Sequence, residues 1–317
     1  MSIHRNVLPQ LEERIFLTDG GMETTLIFNE GFDLPYFAAF DLLKEPAGVA
    51  RVRRYYEKYA RIAVRAGCGF IFETPTWRAS IDWGEKLGYD RQQIADVNLR
   101  SVALLQDLRE QFARPECPMV ISGCIGPRGD GYRAENDLSV EEATDYHREQ
   151  ITTFAESGAD MVAAMTMTSS EEAIGVTLGA RELGVPVAIS FTTETDGRLP
   201  SGQPLEDAIQ QVDAETDDGP AYFMLNCAHP SHFEAALHEG GKWRERIRGV
   251  RANASKRSHA ELDESADLDS GNPQELGKDY QALCKLLPNL TILGGCCGTD
   301  HRHIEQISRH CLDTRRL

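Results

Sequence analysis

The chain has 317 residues, with 33 Lys plus Arg against 50 Asp plus Glu, a formal net charge of −17. A surface this acidic repels phosphate backbones, so nucleic acid is not expected as a partner. The start MSIHRNVLPQ has no apolar signal region and no stretch reaches the length of an uncharged membrane span, so no membrane association is expected and the cytoplasm is the default compartment.

Short apolar runs alternate with amphipathic segments along the whole chain. The runs are Ile15–Thr18, Phe70–Phe72, Met119–Ser122, Met161–Met165, Val187–Phe191, Tyr222–Asn226, Ile247–Arg251 and Thr291–Leu293. Each is rich in Val, Ile, Phe or Met, as strands buried on both faces require. Helical spacing of apolar residues fills gaps such as 48–67, 91–112 and 140–157. Gly67, Gly158 and Gly184 each stand where a helix ends just before a strand, the C′ position that favours glycine. Strand, helix, Gly, strand, repeated, predicts βαβ units and a parallel sheet. Eight such strands favour one closed (β/α)₈ barrel, an α/β TIM-barrel domain over residues 1–317.

Two segments break the rhythm. The acidic stretch 214–220 is expected as a solvated loop at the N-terminal end of the barrel. The longer segment 253–277 follows the seventh run, so it belongs on the C-terminal rim, as a lid or as an acidic surface loop. Gly123-x-x-Gly126-Pro127 lacks the Lys and spacing of a phosphate loop.

Eight cysteines, in a chain without a signal segment, read as free thiols or metal ligands rather than a disulfide framework. Three of them are placed to act together. Cys227 ends the sixth run, and Cys296-Cys297 follow the eighth in Gly294-Gly295-Cys296-Cys297-Gly298-Thr299. Both sets fall at the C-terminal mouth, where barrel catalysis occurs. Three thiolates and one vacancy make the donor set of a catalytic zinc site. Spacing alone leaves buried structural thiols as an equal reading.

The GGCCGT element, with Asn226-Cys227 before His229-Pro230, resembles the homocysteine S-methyltransferase family. Thr18-Asp19-Gly20-Gly21-Met22-Glu23-Thr24 looks like that family's opening D-G-x-M-x-T. Glu73-Thr74-Pro75-Thr76-Trp77 is similar to its E-T-N-T-F, and Gly123–Pro127 to its G-S-I-G-P. Asn253-Ala254-Ser255 looks like a worn P-N-S-G. The resemblance implies a (β/α)₈ barrel, zinc bound by Cys227, Cys296 and Cys297, and methyl transfer from a small donor to homocysteine. It also implies substrate contacts at Asp19, Glu73 and Thr166. One departure stands out: Met165 occupies the position of the family's fourth-strand Glu, and a thioether cannot bind an ammonium as a carboxylate does. Asp19 and Glu73 are therefore the carboxylates expected to hold the amino acid.

Other residues carry weaker expectations. His229, His232, His301 and His303 are expected at helix starts, facing solvent, rather than as ligands. Trp77 and Tyr132 are candidates for an aromatic wall beside an onium donor, or plain packing. Cys124 is the rim cysteine outside the triad. No room for a cobalamin or folate domain is evident, and no G-x-G-x-x-G appears, so the expected donors are S-methylmethionine, S-adenosylmethionine or a betaine. The rival readings are a methyltransferase or demethylase for another thiol or selenol, and a zinc-binding or redox-sensing protein without turnover.

Overall fold

The computed structural model describes residues 2–134, 138–265 and 267–314. Eight strands form a closed barrel in chain order: β1 (Phe16–Leu17), β2 (Gly69–Glu73), β3 (Met119–Ile125), β4 (Met161–Met167), β5 (Val187–Phe191), β6 (Tyr222–Asn226), β7 (Ile247–Ala252) and β8 (Ile292–Gly295). Each neighbouring pair is parallel, and β1 closes the ring against β8. Long helices surround it: α1 (Pro46–Ala66), α2 (Arg91–Phe112), α3 (Val140–Ser157), α4 (Ser170–Glu182), α5 (Leu205–Thr216), α6 (Pro230–His238), α7 (Pro273–Leu286) and α8 (His301–Thr314). All eight apolar runs are strands. β3 and β4 extend past the runs: Gly123, Cys124 and Ile125 go on pairing with β4, and Met167 pairs with Phe191 of β5 beyond a register shift that contains Thr166.

Local signals act as the sequence indicates. Gly67, Gly158 and Gly184 have φ of 67°, 88° and 64°, the left-handed conformation that ends a helix. Asp90 with Gln93, and Ser139 with Glu142, form capping boxes at the starts of α2 and α3. The acidic stretch 214–220 is shorter as a loop than expected. α5 runs through Thr216, and the turn to β6 is made by Asp217 and Asp218, both left-handed.

Side chains alternate between the lumen and the helix layer with period two. Phe16, Ile71, Val120, Met161, Ala188, Tyr222, Met224 and Ile292 fill the lumen, closed below by Leu8. Continuing the same alternation toward the strand ends brings Glu73, Cys124, Met165, Asn226 and Arg251 to the upper lumen. These residues form the floor of the site.

The lower end is sealed by charge. Asp160, just before β4, accepts hydrogen bonds from the backbone of Ile3 (2.7 Å), His4 (2.8 Å) and Ile121 (2.9 Å), and from Arg109 Nη1 (2.7 Å). The N-terminal segment is thereby pinned across the bottom of the barrel. Among the described residues, no helix is long and apolar enough to cross a membrane.

Candidate active site

A cavity of about 180 Å³ opens at the C-terminal mouth. Cys227, Cys296 and Cys297 line it, and their sulfurs lie within 4.8 Å of one another. Cys227 follows β6 directly, in a left-handed conformation with φ of 54°. Its N–H donates to Arg251 O (3.2 Å), and its carbonyl accepts from Asn253 Nδ2 and His259 Nε2, both at 2.8 Å. Cys296 N–H donates to Ala252 O (2.8 Å), and Cys297 O accepts from Ala254 N–H (3.0 Å). Backbone bonds to β7 and the segment after it thus bring the two cysteine elements together.

The glycines before the cysteine pair serve close packing. A Cβ on Gly294 or Gly295 would run into the side chains of Thr18 and Thr299. Their bareness lets β8 approach the β1 turn. Gly298, at φ of 78°, then reverses the chain.

Cys227 and Cys296 are joined as a disulfide, with Cα atoms 5.4 Å apart, while Cys297 is a free thiol. A bridged pair supplies no thiolate, so a metal ion would need the reduced form. The donor set then fits a soft, thiolate-preferring ion such as zinc: three sulfurs converge on one point and face an open cavity. Burial pushes the Cys297 thiol above its ordinary value, opposed by the Tyr132 hydroxyl 3.4 Å from its sulfur. Tyr132 also stacks on His259, with ring centroids 4.0 Å apart.

His259 belongs to the segment that follows β7. A short helix, His259–Asp263, lies over the mouth, and Asp263 lines the cavity. His259 Nδ1 faces Glu194 at 3.2 Å. The rim segment is therefore packed onto the cysteine site rather than displayed as a free surface loop.

The charged residues sort into two groups. Asp19 is already paired: Arg251 Nη2 donates to its Oδ1 (2.7 Å) and Tyr55 OH to its Oδ2 (3.1 Å). Burial pushes its carboxyl up, against the pull of Arg251. Burial works to lower the Arg251 guanidinium but is outweighed by Asp19 and Glu73, so it stays charged. Glu73 is different. It is 5% exposed, its Oε2 has no hydrogen-bond partner, and burial pushes it up to about 7. Glu23, on the short helix Met22–Thr24, is likewise pushed up to about 7 by burial and has no ion-pair partner among the described residues.

Thr166 also lines the cavity, in a left-handed conformation with φ of 64°. Asn226 holds it there: Oδ1 accepts from Thr166 N–H (2.9 Å) and Nδ2 donates to Thr166 Oγ1 (2.8 Å). Met165 lines the cavity as an apolar wall. Trp77, Tyr132 and Cys124 line it as well.

The histidines do not converge on the cysteines. His229 caps α6, His232 Nε2 donates to Lys256 O (3.0 Å), and His303 Nε2 donates to Ser270 O (2.9 Å). These three are buried, not solvent-facing as their helix-start positions suggest, because His229 accepts from Ser231 N–H in the first turn of α6 while His232 and His303 satisfy loop carbonyls; of the four only His301 is exposed. Sequence reasoning missed Glu23, Arg251 and Arg78. Arg251 had a signal, a charge closing an apolar strand run; Glu23 lies inside a recognised motif but at a position the motif leaves open.

A barrel whose mouth gathers three cysteine sulfurs defines the site, and the match to known proteins defines the class: a methyltransferase. The family model described as homocysteine S-methyltransferase matches residues 16–311, and the chain belongs to that family. It is 24% identical to homocysteine S-methyltransferase 3 of Zea mays, across 92% of this chain and 88% of that protein. It is also 24% identical to a selenocysteine Se-methyltransferase of Brassica oleracea var. italica, across 95% and 90%. Among solved structures, the homocysteine methyltransferase MmuM from Escherichia coli in its oxidized form superposes with a TM-score of 0.74, at 21% identity over 96% of this chain and 98% of that one. Its metallated form gives 0.71 at 21% identity, over 94% and 96%. At that identity the superposition speaks for the fold.

Proposed function

We propose that this enzyme transfers a methyl group from a small onium donor to the thiol of homocysteine, giving methionine, at a zinc ion held by Cys227, Cys296 and Cys297. The observation that carries this reading is the convergence of the three sulfurs at the mouth of the cavity. When bound, zinc would keep an acceptor sulfur as the thiolate, the nucleophilic form at neutral pH.

The chain's own residues do the remaining work. The cavity walls hold acceptor and donor in line and exclude water, which is the main contribution a positioned site makes to a methyl transfer. Asp19 is committed to Arg251, so Glu73 is the floor carboxylate left to face the onium charge of the methyl donor. Asn226 fixes Thr166 and follows directly into Cys227, so one side chain couples the fourth and sixth strand ends. The rings of Trp77 and Tyr132 offer faces to a sulfonium or quaternary ammonium. Three reduced thiolates need a reducing compartment, and we take the cytoplasm as its place.

Met165 favours a second acceptor class, another thiol or a selenol that carries no ammonium, because the wall it forms offers no charge to one. The test is zinc content of reduced protein, wild type beside Cys296→Ser, with methylation of homocysteine assayed on the same samples. About one zinc per chain, lost together with activity, is the expected result. Zinc without turnover on homocysteine would redirect the acceptor; wild type without zinc would refute the metal site.

A further inference from the structure

The cavity holds one guanidinium that nothing in the proposed reaction uses. Arg78 is 5% exposed and lines the cavity. Its guanidinium is clamped between two indoles, 3.9 Å from the Trp77 ring and 3.7 Å from the Trp83 ring. Nη1 donates to Gly129 O (2.8 Å), while the buried Nε has no hydrogen-bond partner. Among the described residues it has no ion-pair partner. A buried, unpaired charge is costly, and one held rigidly at a cavity wall is preorganised for an anion.

The neighbours narrow the choice of anion. Asp130 and Glu23 both line the cavity and act on Arg78 through space, with Asp130 held by the Tyr132 N–H at 2.8 Å. A lone anion would be repelled by these carboxylates. An α-amino acid would not, because its ammonium sits one carbon from its carboxylate and answers them. Glu23 is also fixed relative to the cysteines: Gly21 N–H donates to Thr299 O (3.1 Å), and Gly298 N–H donates to Thr24 Oγ1 (3.1 Å).

We infer that Arg78 is the anchor for the carboxylate of an α-amino-acid ligand, whose ammonium faces Glu23 and Asp130. This rests on the methyl-transfer reading for the identity of the ligand, since the acceptor homocysteine and a donor such as S-methylmethionine both carry that head group. The anchor itself does not depend on turnover.

The experiment is calorimetric titration of reduced, zinc-loaded protein with L-homocysteine, with 3-aminopropanethiol, which lacks the carboxylate, and with S-methylmethionine. Wild type is expected to bind 3-aminopropanethiol about 30-fold more weakly than homocysteine, the size of a lost charge-assisted contact. Arg78→Gln keeps a planar group between the indoles; it is expected to bind homocysteine about 30-fold more weakly and to lose the preference for the carboxylate. A thermal melt of Arg78→Gln verifies that it is folded. Loss confined to homocysteine assigns the anchor to the acceptor, and loss confined to S-methylmethionine assigns it to the donor. Equal wild-type affinity for homocysteine and 3-aminopropanethiol, together with unchanged S-methylmethionine binding in the folded variant, overturns the inference even if methyl transfer is confirmed. If no methyl transfer occurs, Arg78-dependent binding of L-methionine still upholds the anchor, and its absence overturns it.

Discussion

Two buried arginine–aspartate pairs stand at opposite ends of the barrel, and they are finished to different degrees. At the bottom, Arg109 and Asp160 have side chains 6% and 0% exposed, and Asp160 accepts four hydrogen bonds from four residues. Each of those donors belongs to the chain itself. At the top, Asp19 and Arg251 are nearly as buried, at 4% and 8%, but they stand among charges that are not answered: Glu23, Glu73 and Arg78. Buried polar groups in a folded chain are ordinarily satisfied. Complete satisfaction at the bottom marks a fastening, whereas the unanswered groups at the top are those that the proposed charged ligand would meet.

The strongest attempt to break this comparison is Asp160→Ala. It strands Arg109 and the N-terminal segment, so a loss of about 3–5 kcal/mol is expected, read by urea unfolding, with activity per folded molecule unchanged. A stable variant with impaired turnover would show that the bottom pair is more than a fastening.

Glu73→Gln tests the top. The native state keeps the Glu73 proton up to about pH 7, whereas the unfolded chain releases it near the ordinary value of 4.5. Stability linked to this group is therefore fully present below about pH 4.5 and is lost, by roughly 3 kcal/mol, as pH rises through about 7. The wild-type-minus-variant difference in unfolding free energy should fall over that window; a flat difference would mean that Glu73 is already satisfied. A cation bound at Glu73 should accordingly bind more tightly above pH 7 than at pH 5.5, and the variant should lose that dependence.

The smallest effect is expected from Tyr132→Phe. It removes one hydroxyl beside the Cys297 sulfur, so metal affinity should fall about 10-fold, measured by chelator competition. No change would reduce Tyr132 to its stacking on His259.

The sequence made the scaffold legible and left half of the mouth obscure, for a physical reason. Strand runs and the C′ glycines at 67, 158 and 184 are local, so they can be read within a few residues. The convergence of Cys227, Cys296 and Cys297 was legible through the GGCCGT element and its family resemblance, since spacing alone left buried structural thiols as an equal reading. The state of Asp19 was not: its partner Arg251 lies 232 residues away, and a carboxylate expected to meet a substrate is already paired inside the protein. Arg78 carried no signal in the sequence, since only the folded chain closes Trp77 and Trp83 around it. Met165 lines the cavity as an uncharged wall, and the buried carboxylates that share the cavity come from β2 and from the β1 turn.

Cys227 follows β6 with a φ of 54°, a conformation that costs a side-chain-bearing residue energy and glycine almost none. The fold would be easier to make with glycine there, yet glycine has no sulfur. The native sequence is therefore not the most stable one for its own backbone. A selection for thermal resistance alone would drift toward replacing the residue that the proposed metal site needs, so stabilised descendants of this enzyme would test that proposal: they should lose metal binding as they gain heat resistance.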